Sequence, residues 1–274
     1  VETPPPRRPH PHRAPPRPAA MKCILLTLAL VAAASAGIAK RDVRLPEYFP
    51  TACARNAANL NECIRNNMQG VMPLFGKGEK LFDMEPIEPI AVNDVRVHLR
   101  REPFDFHAVA RNSKVHGSSG IVIRDVRAKL GEDNLDMEID VHFPTMFIEG
   151  EFKMEGKIGN FPFSGRGPWN VSITDLKATW HLIGEAVERN GEKYMQIKRF
   201  IPTYSVGGMR SYGENLVEGA PELTNLALNL INQYWEPVLA AMQPTVRPEL
   251  ERHLKRMASS VFDSVPYKQL FPVA

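Results

Sequence analysis

Cysteine is scarce in this chain, three in 274 residues, and no short motif announces chemistry. H-E-x-x-H, G-x-S-x-G, the P-loop and the dinucleotide glycine fingerprint are all missing, so zinc hydrolysis, an elbow-borne nucleophile and nucleotide phosphate binding have no support. Long apolar runs are missing too: the one from Cys23 to Ala34 falls short of the about 20 residues that cross a bilayer. Charge of one sign is lacking once the N-terminal leader is set apart. The first 36 residues hold Arg7, Arg8, Arg13, Arg17 and Lys22 against the single acid Glu2, so residues 37–274 carry 29 basic and 30 acidic side chains, a net of −1. The overall pI of 8.7 belongs to that leader, and with it goes the reason to expect nucleic acid as a partner.

What is present begins with "VETPPPRRPHPHRAPPRPAA", which has no apolar period and cannot build a core, so residues 1–20 read as disorder or upstream non-native sequence. Met21 then opens a signal peptide over 21–36: one Lys, the apolar run, and Ala34-Ser35-Ala36 in the small-x-small form that signal peptidase accepts. The expected mature chain is one domain, 37–274, secreted to an extracellular fluid. Cys23 leaves with the signal. In an oxidising compartment Cys53 and Cys63 then read as a disulfide closing a short loop, worth about 2.8 kcal/mol by loop entropy. A reactive thiol pair is the weaker alternative, because the spacing is far from C-x-x-C. Asn170-Val171-Ser172 is a glycosylation sequon, occupied or not, and implies a surface position for Asn170.

The segment "MFIEGEFKMEGKI" shows what the domain is made of. Met146, Ile148, Gly150, Phe152, Met154, Gly156 and Ile158 share one parity and charged residues fill the other, the period of a strand with one wet face. Leu135, Met137, Ile139, Val141 and Phe143 alternate in the same way, and a turn at Pro144-Thr145 would pair the two as a hairpin. "IAVNDVRV", "IVIRDVRA" and "VSITDLKA" each change apolar parity across an Asp (Asp94, Asp125, Asp175), which a bulge or twist would produce; recurrent strand architecture explains them better than three metal-binding or catalytic carboxylates. Strands continue through "FPFSGRGPWN", "LKATWHLI" and "KYMQIKRFI", giving a long antiparallel meander over about 88–212. "GSSG" at Gly117 and "GRG" at Gly165 read as turns.

An early helix is expected over 54–70. After Gly219 the period becomes helical, with a stripe from Leu223 through Trp235, Leu239, Met242 and Val246 to Val261. Pro237, Pro244 and Pro248 should kink this helix or split it near Gln243. The long strand and the long helix suggest a curved sheet wrapping a helix, Gly150 and Gly156 letting the strand bend or the helix come close. Pattern alone leaves a filled core and an apolar tunnel both open, the filled core being commoner.

Two cysteines near the mature start, the run "GEFKMEGKIGNFPFSGRG", and Asn232, Trp235, Pro244, Phe262, Pro266, Leu270, Phe271 and Pro272 in the tail resemble the Takeout and haemolymph juvenile-hormone-binding protein family of insects, within the tubular lipid-binding superfamily. The resemblance covers essentially the whole mature chain. It implies an α+β fold, a long C-terminal helix wrapped by a highly curved antiparallel sheet, and a secreted carrier in haemolymph or sensory fluid linked to circadian, feeding or chemosensory physiology. It raises the tunnel reading. Candidate lining residues are then Phe143, Ile148, Phe152, Met154, Ile158, Trp180, Trp235, Leu239, Met242 and Val246. Pro248 departs from the family pattern, a helix-compatible residue being usual there.

The leading expectation is a monomeric carrier of a hydrophobic small molecule, juvenile hormone-like terpenoid or other lipid, with no cofactor, no metal, no catalytic residue and no stable membrane insertion. Lipid extraction or transfer at membranes is the alternative; "RPELERHLKRM" mixes acids with its bases and speaks against docking. A hydrolase would need paired acids, and Glu149, Glu151 and Glu155 lie on the wet face. His98, His107, His116, His142, His181 and His253 are scattered, as surface or lightly buried imidazoles would be.

Overall fold

The computed structural model of the chain describes Leu45, Glu47 and residues 49–273. The expected signal peptide and upstream segment lie outside them. The order is α1 (Leu60–Gly76), β1 (Ile90–Val92), β2 (Val95–Arg101), β3 (Phe104–His116), β4 (Val122–Leu130), β5 (Asn134–Ile158), β6 (Phe161–Arg189), β7 (Glu192–Ser205), β8 (Gly208–Gly213), α2 (Pro221–Gln233), α3 (Trp235–Phe262) and α4 (Tyr267–Leu270). All eight strands form one antiparallel sheet, not closed as a barrel. Its centre is the pair β5–β6, in one register from Asn134↔Glu185 to Ile158↔Phe161. β4 and β3 share the free side of β5, and β7 and β8 share the free side of β6.

The expected hairpin at Pro144-Thr145 is corrected: both segments belong to the single strand β5. Phe143 pairs with Leu176 and Thr145 with Thr174 in unbroken register. Parity changes because each strand turns two consecutive residues outward, Pro144-Thr145 and Thr174-Asp175, with Asp175 in the left-handed region at φ 50°. The other two Asp positions also mark changes of face. Asp94 lies in the gap between β1 and β2, and Asp125 follows a one-residue register shift after Ile123.

"GRG" is likewise not a turn, since Gly165 and Gly167 sit inside β6. A Cβ on Gly165 would stand 2.3 Å from the Leu216 carbonyl oxygen, and one on Gly167 2.6 Å from that of Glu214. These glycines admit the backbone that follows β8, which bonds to β6 through Arg166 N–H to Asn215 O (3.2 Å) and Glu218 N–H to Ser164 O (2.7 Å). Gly150 and Gly156 admit a neighbouring strand, not the helix: added Cβ atoms would meet the Ser113 hydroxyl at 2.8 Å and the Phe106 Cβ at 2.3 Å. "GSSG" does connect strands, through a 3-10 turn at Ser118–Gly120 between β3 and β4.

The C-terminal stripe breaks at Tyr234 (φ −116°, ψ 43°), earlier than the expected Gln243. In an unbroken helix the Pro237 ring would clash with the Gln233 carbonyl; the break moves Pro237 into the first turn of α3, where its missing N–H costs nothing. α3 then runs through Pro244 and Pro248. Both are exposed and four apart, so the two lost helical bonds lie on the water side. α1 begins six residues later than expected, at Leu60.

The two halves of the wrap are filled differently. Where β4, the first part of β5, the last part of β6 and β7 meet α1 and the end of α3, the core is dense: Val126, Leu135, Ile139, Val141, Met195 and Ile197 are all at most 2% exposed. There the termini close the structure, as Cys53 N–H bonds Leu270 O (3.3 Å) and Arg55 N–H bonds Pro272 O (2.8 Å). The Cys53–Cys63 disulfide, with Cα atoms 5.8 Å apart, fixes this segment to α1. Beyond Phe143 the inward residues Met146, Ile148, Phe152 and Met154 are only half-buried. This second half is lined by β1–β3, β8, α2 and the start of α3, and it is hollow.

Candidate functional site

Alternation turns every second residue of β2, β3, β5, β6 and β8 inward; Leu228 and Ile231 of α2 and Leu239, Met242 and Val246 of α3 lie against them, while Leu223, Leu226 and Leu230, expected on the same stripe, face outward. The space between them is a cavity of about 1100 Å³ with a largely apolar wall. Space survives because small residues oppose large ones: Ala108 pairs with Met154 and Ala110 with Phe152. Phe143, Trp180 and Phe200 form a chain of rings, with centroids 6.3 and 5.9 Å apart in turn, and the wall narrows past them into the dense half, where Met137, Ile139, Val71 and Phe75 also line it.

Eight of the candidate residues stand on this wall: Phe143, Ile148, Phe152, Met154, Trp180, Leu239, Met242 and Val246. Two do not. Ile158 is the last residue of β5, beside the hairpin turn, and is 44% exposed. Trp235 is the first residue of α3 and is half-buried away from the wall; the break at Tyr234 shifts the phase of the stripe, so a residue that shares the stripe in sequence leaves it in space. The wall also holds residues the sequence reading omitted: Val97, Ala108 and Ala110 of β2–β3, Trp169 of β6, and Leu228 and Ile231 of α2. Alternation in "VRVHL" could have found Val97. Trp169 was read within the strand run "FPFSGRGPWN", but a turn at "GRG" left its face undefined until the 214–216 backbone is in place.

Polar groups take up little of the wall, although Glu85, Asp94, Glu249 and Arg256 reach it. Trp169 Nε1, Ser118 Oγ and His253 Nε2 are sealed from water and have no hydrogen-bond partner. Burial, reinforced by the nearby Arg256 and opposed by Glu85, holds the His253 imidazole below its ordinary range, so it is neutral at neutral pH. Burial raises the Tyr204 phenol, keeping it protonated. Ser113 is 5% exposed and its hydroxyl makes one long bond, 3.4 Å, to Arg111 O.

The remaining imidazoles stand towards the outer face beside carboxylates. His142 lies 2.9 Å from Asp175, His181 2.9 Å from Asp136 and His116 3.1 Å from Glu149. No group of three metal-ligating side chains forms among the described residues. Arg127 holds Asp125, Glu138 and Asp140 on the outer face, and Asp140 is held below the usual carboxylate range mainly by that guanidinium. Glu151 accepts from Asn112 (3.0 Å) and Glu155 pairs with Lys153 (2.6 Å). Asn170 is half-buried in mid-strand, between Glu149 of β5 and Tyr212 of β8.

The family model described as haemolymph juvenile hormone binding protein matches residues 24–272. The chain is 19% identical to the circadian clock-controlled protein daywake of Drosophila yakuba over 229 residues, 81% of this chain and 88% of that protein. It is 18% identical to daywake of Drosophila melanogaster over 231 residues, 82% of this chain and 89% of that one. Among solved structures, Takeout 1 of Epiphyas postvittana shares the fold, with a TM-score of 0.67 at 20% identity over 82% of this chain and 100% of that chain.

Proposed function

The chain belongs to the haemolymph juvenile hormone binding protein family, and we propose that it is a secreted carrier that takes one elongated lipophilic molecule, a juvenile hormone-like terpenoid or another lipid, into the cavity without converting it. The observation that carries this reading is the cavity of about 1100 Å³. That size stands just above the about 300–1,000 Å³ usual for pockets taking drug-sized ligands. Burial of apolar surface at about 25 cal/mol per Å² supplies the affinity, and Met146, Met154, Met209 and Met242 let the wall follow guests of different shape. The domain would span 37–274, act as a monomer outside the cell, and carry a glycan at Asn170 where that sequon is used. Similarity to proteins named circadian clock-controlled supports a role in daily physiology.

The test is extraction. Protein purified from native tissue should release an apolar compound, about one per chain, into organic solvent for mass spectrometry, and the emptied protein should bind a fluorescent fatty probe at micromolar concentration. A protein that is empty as isolated and binds no apolar probe would defeat the carrier reading.

A second reading, lipid exchange at membranes, is favoured by one observation. Leu223, Leu226 and Leu230 of α2 are 54, 55 and 48% exposed, and Phe161 at the hairpin tip is 80% exposed. No described helix is long and apolar enough to cross a membrane. Co-sedimentation with liposomes separates the two readings: a carrier stays in the supernatant.

A further inference from the structure

Ile90, Ala91, Val92, Asn93 and Asp94 all border the cavity, yet Ala91, Asn93 and Asp94 are exposed to water. A residue that meets the guest space on one side and solvent on the other marks a wall one chain thick. Glu249 and Arg256 of α3 share that double position, and Glu85 lies close enough to α3 for His253 to feel its charge. The edge of the sheet and α3 thus face each other across a seam. Asp94 turns its carboxylate back to Arg96 and Arg111 (3.9 and 3.6 Å), and Glu249 pairs with Arg252 on its own helix, so among the described residues no ion pair closes that seam.

The ribbon along the seam is held firmly at its start. Ile87 is 5% exposed and its N–H bonds Phe75 O at 3.1 Å, which anchors the chain to α1. Glu88 follows as a latch: its carboxylate accepts from the Gly117 N–H (3.0 Å), the Ser119 N–H (3.0 Å) and the Ser119 hydroxyl (3.1 Å). Hydrogen bonds to an ionised acceptor are the strong ones, and these tie the ribbon to the turn between β3 and β4. That turn is itself fixed, since a Cβ on Gly117 (φ 89°) would lie 2.4 Å from Thr145 O of β5.

Beyond the latch the ladder soon lapses. β1 pairs with β3 only through Ile90, Ala91 and Val92, and pairing resumes at Val95↔Ala110. Asn93 and Asp94 have no cross-strand partner, because β3 bulges opposite them with Asn112 at φ 50°. Among the described residues no side chain caps the outer edge of β1, whereas on β4 the Ile123 and Ala128 N–H groups are taken by Gln69 and Asn61. Residues 89–92, about 13 Å of extended chain, therefore lie between a latch and a break. Opening is easiest where few backbone bonds must part.

We infer that residues 89–92 are a flap, latched by Glu88 and hinged at Asn93 and Asp94, that swings away from β3 to pass the guest between β1 and α3. The inference rests on the carrier reading and adds a route to it. Glu88 is not part of the cavity wall, so it governs the rate of passage and leaves the fit of the guest alone.

Stopped-flow mixing of the emptied mature protein with cis-parinaric acid, a fluorescent fatty acid, tests the flap. Glu88→Ala removes the whole latch; association and release should both quicken about tenfold while Kd stays within about twofold, because the latch holds loaded and empty protein alike. Ser119→Ala, at an exposed position, removes one bond and should quicken both rates about twofold, which keeps the test open should Glu88→Ala misfold. In the opposite direction, a disulfide between the register partners of β1 and β3, made by Ala91→Cys with Lys114→Cys, should slow both rates at least about tenfold with Kd again unchanged. Rates indifferent to the latch, release quickened with association unaltered, or a cross-linked protein that loads as fast as the wild type would each overturn the flap while leaving the carrier intact. A wild type that binds no parinaric acid at micromolar concentration would instead remove the carrier reading, and the flap with it.

Discussion

Asn232 of α2 and Ser211 of β8 exchange two hydrogen bonds: the Asn232 amide oxygen accepts from the Ser211 N–H at 2.6 Å, and its amide nitrogen donates to the Ser211 carbonyl at 2.9 Å. One side chain thus satisfies the outer edge of the sheet as a further strand would, and pins the end of α2 over the hollow half. Replacing Asn232 by Leu should destabilise the protein by about 1–3 kcal/mol, because two edge groups lose their partner. Hydrogen exchange over 221–233 should accelerate while α1 stays protected. Unchanged exchange in α2 would show that packing alone holds it.

The Cys53–Cys63 bond should be present in secreted protein, whose intact mass under non-reducing conditions would be about 2 Da below the reduced form. Cys63→Ser should lower stability by about 2–3 kcal/mol without unfolding the sheet. Loss of all structure would mean that the pairing of residues 53–55 with 270–272 nucleates the dense half.

Bulk placed in the hollow should exclude the guest. Met154→Trp, opposite Ala108, and Leu239→Trp should each weaken binding of a fatty probe at least about tenfold with melting temperature nearly unchanged, since each fills free volume instead of displacing a neighbour. Two folded variants that bind as tightly as the wild type would place the guest elsewhere.

Indole emission should report uptake through Trp169 and Trp180, which line the cavity, and not through Trp235, which does not. Trp235→Phe should therefore keep the fluorescence response to ligand, and Trp180→Phe should diminish it. The reverse result would move the guest towards the junction of α2 and α3.

Because the folded-state pKa of His253 is depressed by burial, its stabilising contribution is complete above the ordinary imidazole range and is lost as pH falls below it. Thermal melts between pH 7.5 and 5 should show the wild type losing stability more steeply than His253→Asn. Parallel pH profiles would show that protonated His253 finds water or Glu85 at no loss.

The sequence carried the sheet more clearly than the site. Alternation in 146–158 and 135–143 identifies β5, because every second side chain must answer to one buried face. A change of parity at Pro144 looks the same in sequence whether the chain turns back or twists in place, so the hairpin reading failed on a distinction that only the partner residues Thr174 and Asp175 resolve. The lining was legible where one strand's alternation suffices, as at Phe152 and Met154. It was illegible where long-range contacts decide: Gly165 and Gly167 need the backbone of 214–216 to explain them, and the face of Trp169 stays undefined without it. A helical stripe continuous from Leu226 to Val261 gives no sign of the break at Tyr234 that takes Trp235 off the wall.

The division of the wrap into a dense half and a hollow half makes the guest a structural member. Around Leu135, Met195 and Ile197 the protein supplies its own packing atoms, while around Phe152, Met154 and Ala108 the missing atoms must come from whatever is carried. Folding and cargo are then thermodynamically linked: at a free ligand concentration of about 100 times Kd, occupancy adds about 2.7 kcal/mol to the stability of the chain. An unloaded molecule would be selectively loose at one end and would tighten on loading, so a receptor could tell full from empty by the rigidity of α2 alone, without touching the guest.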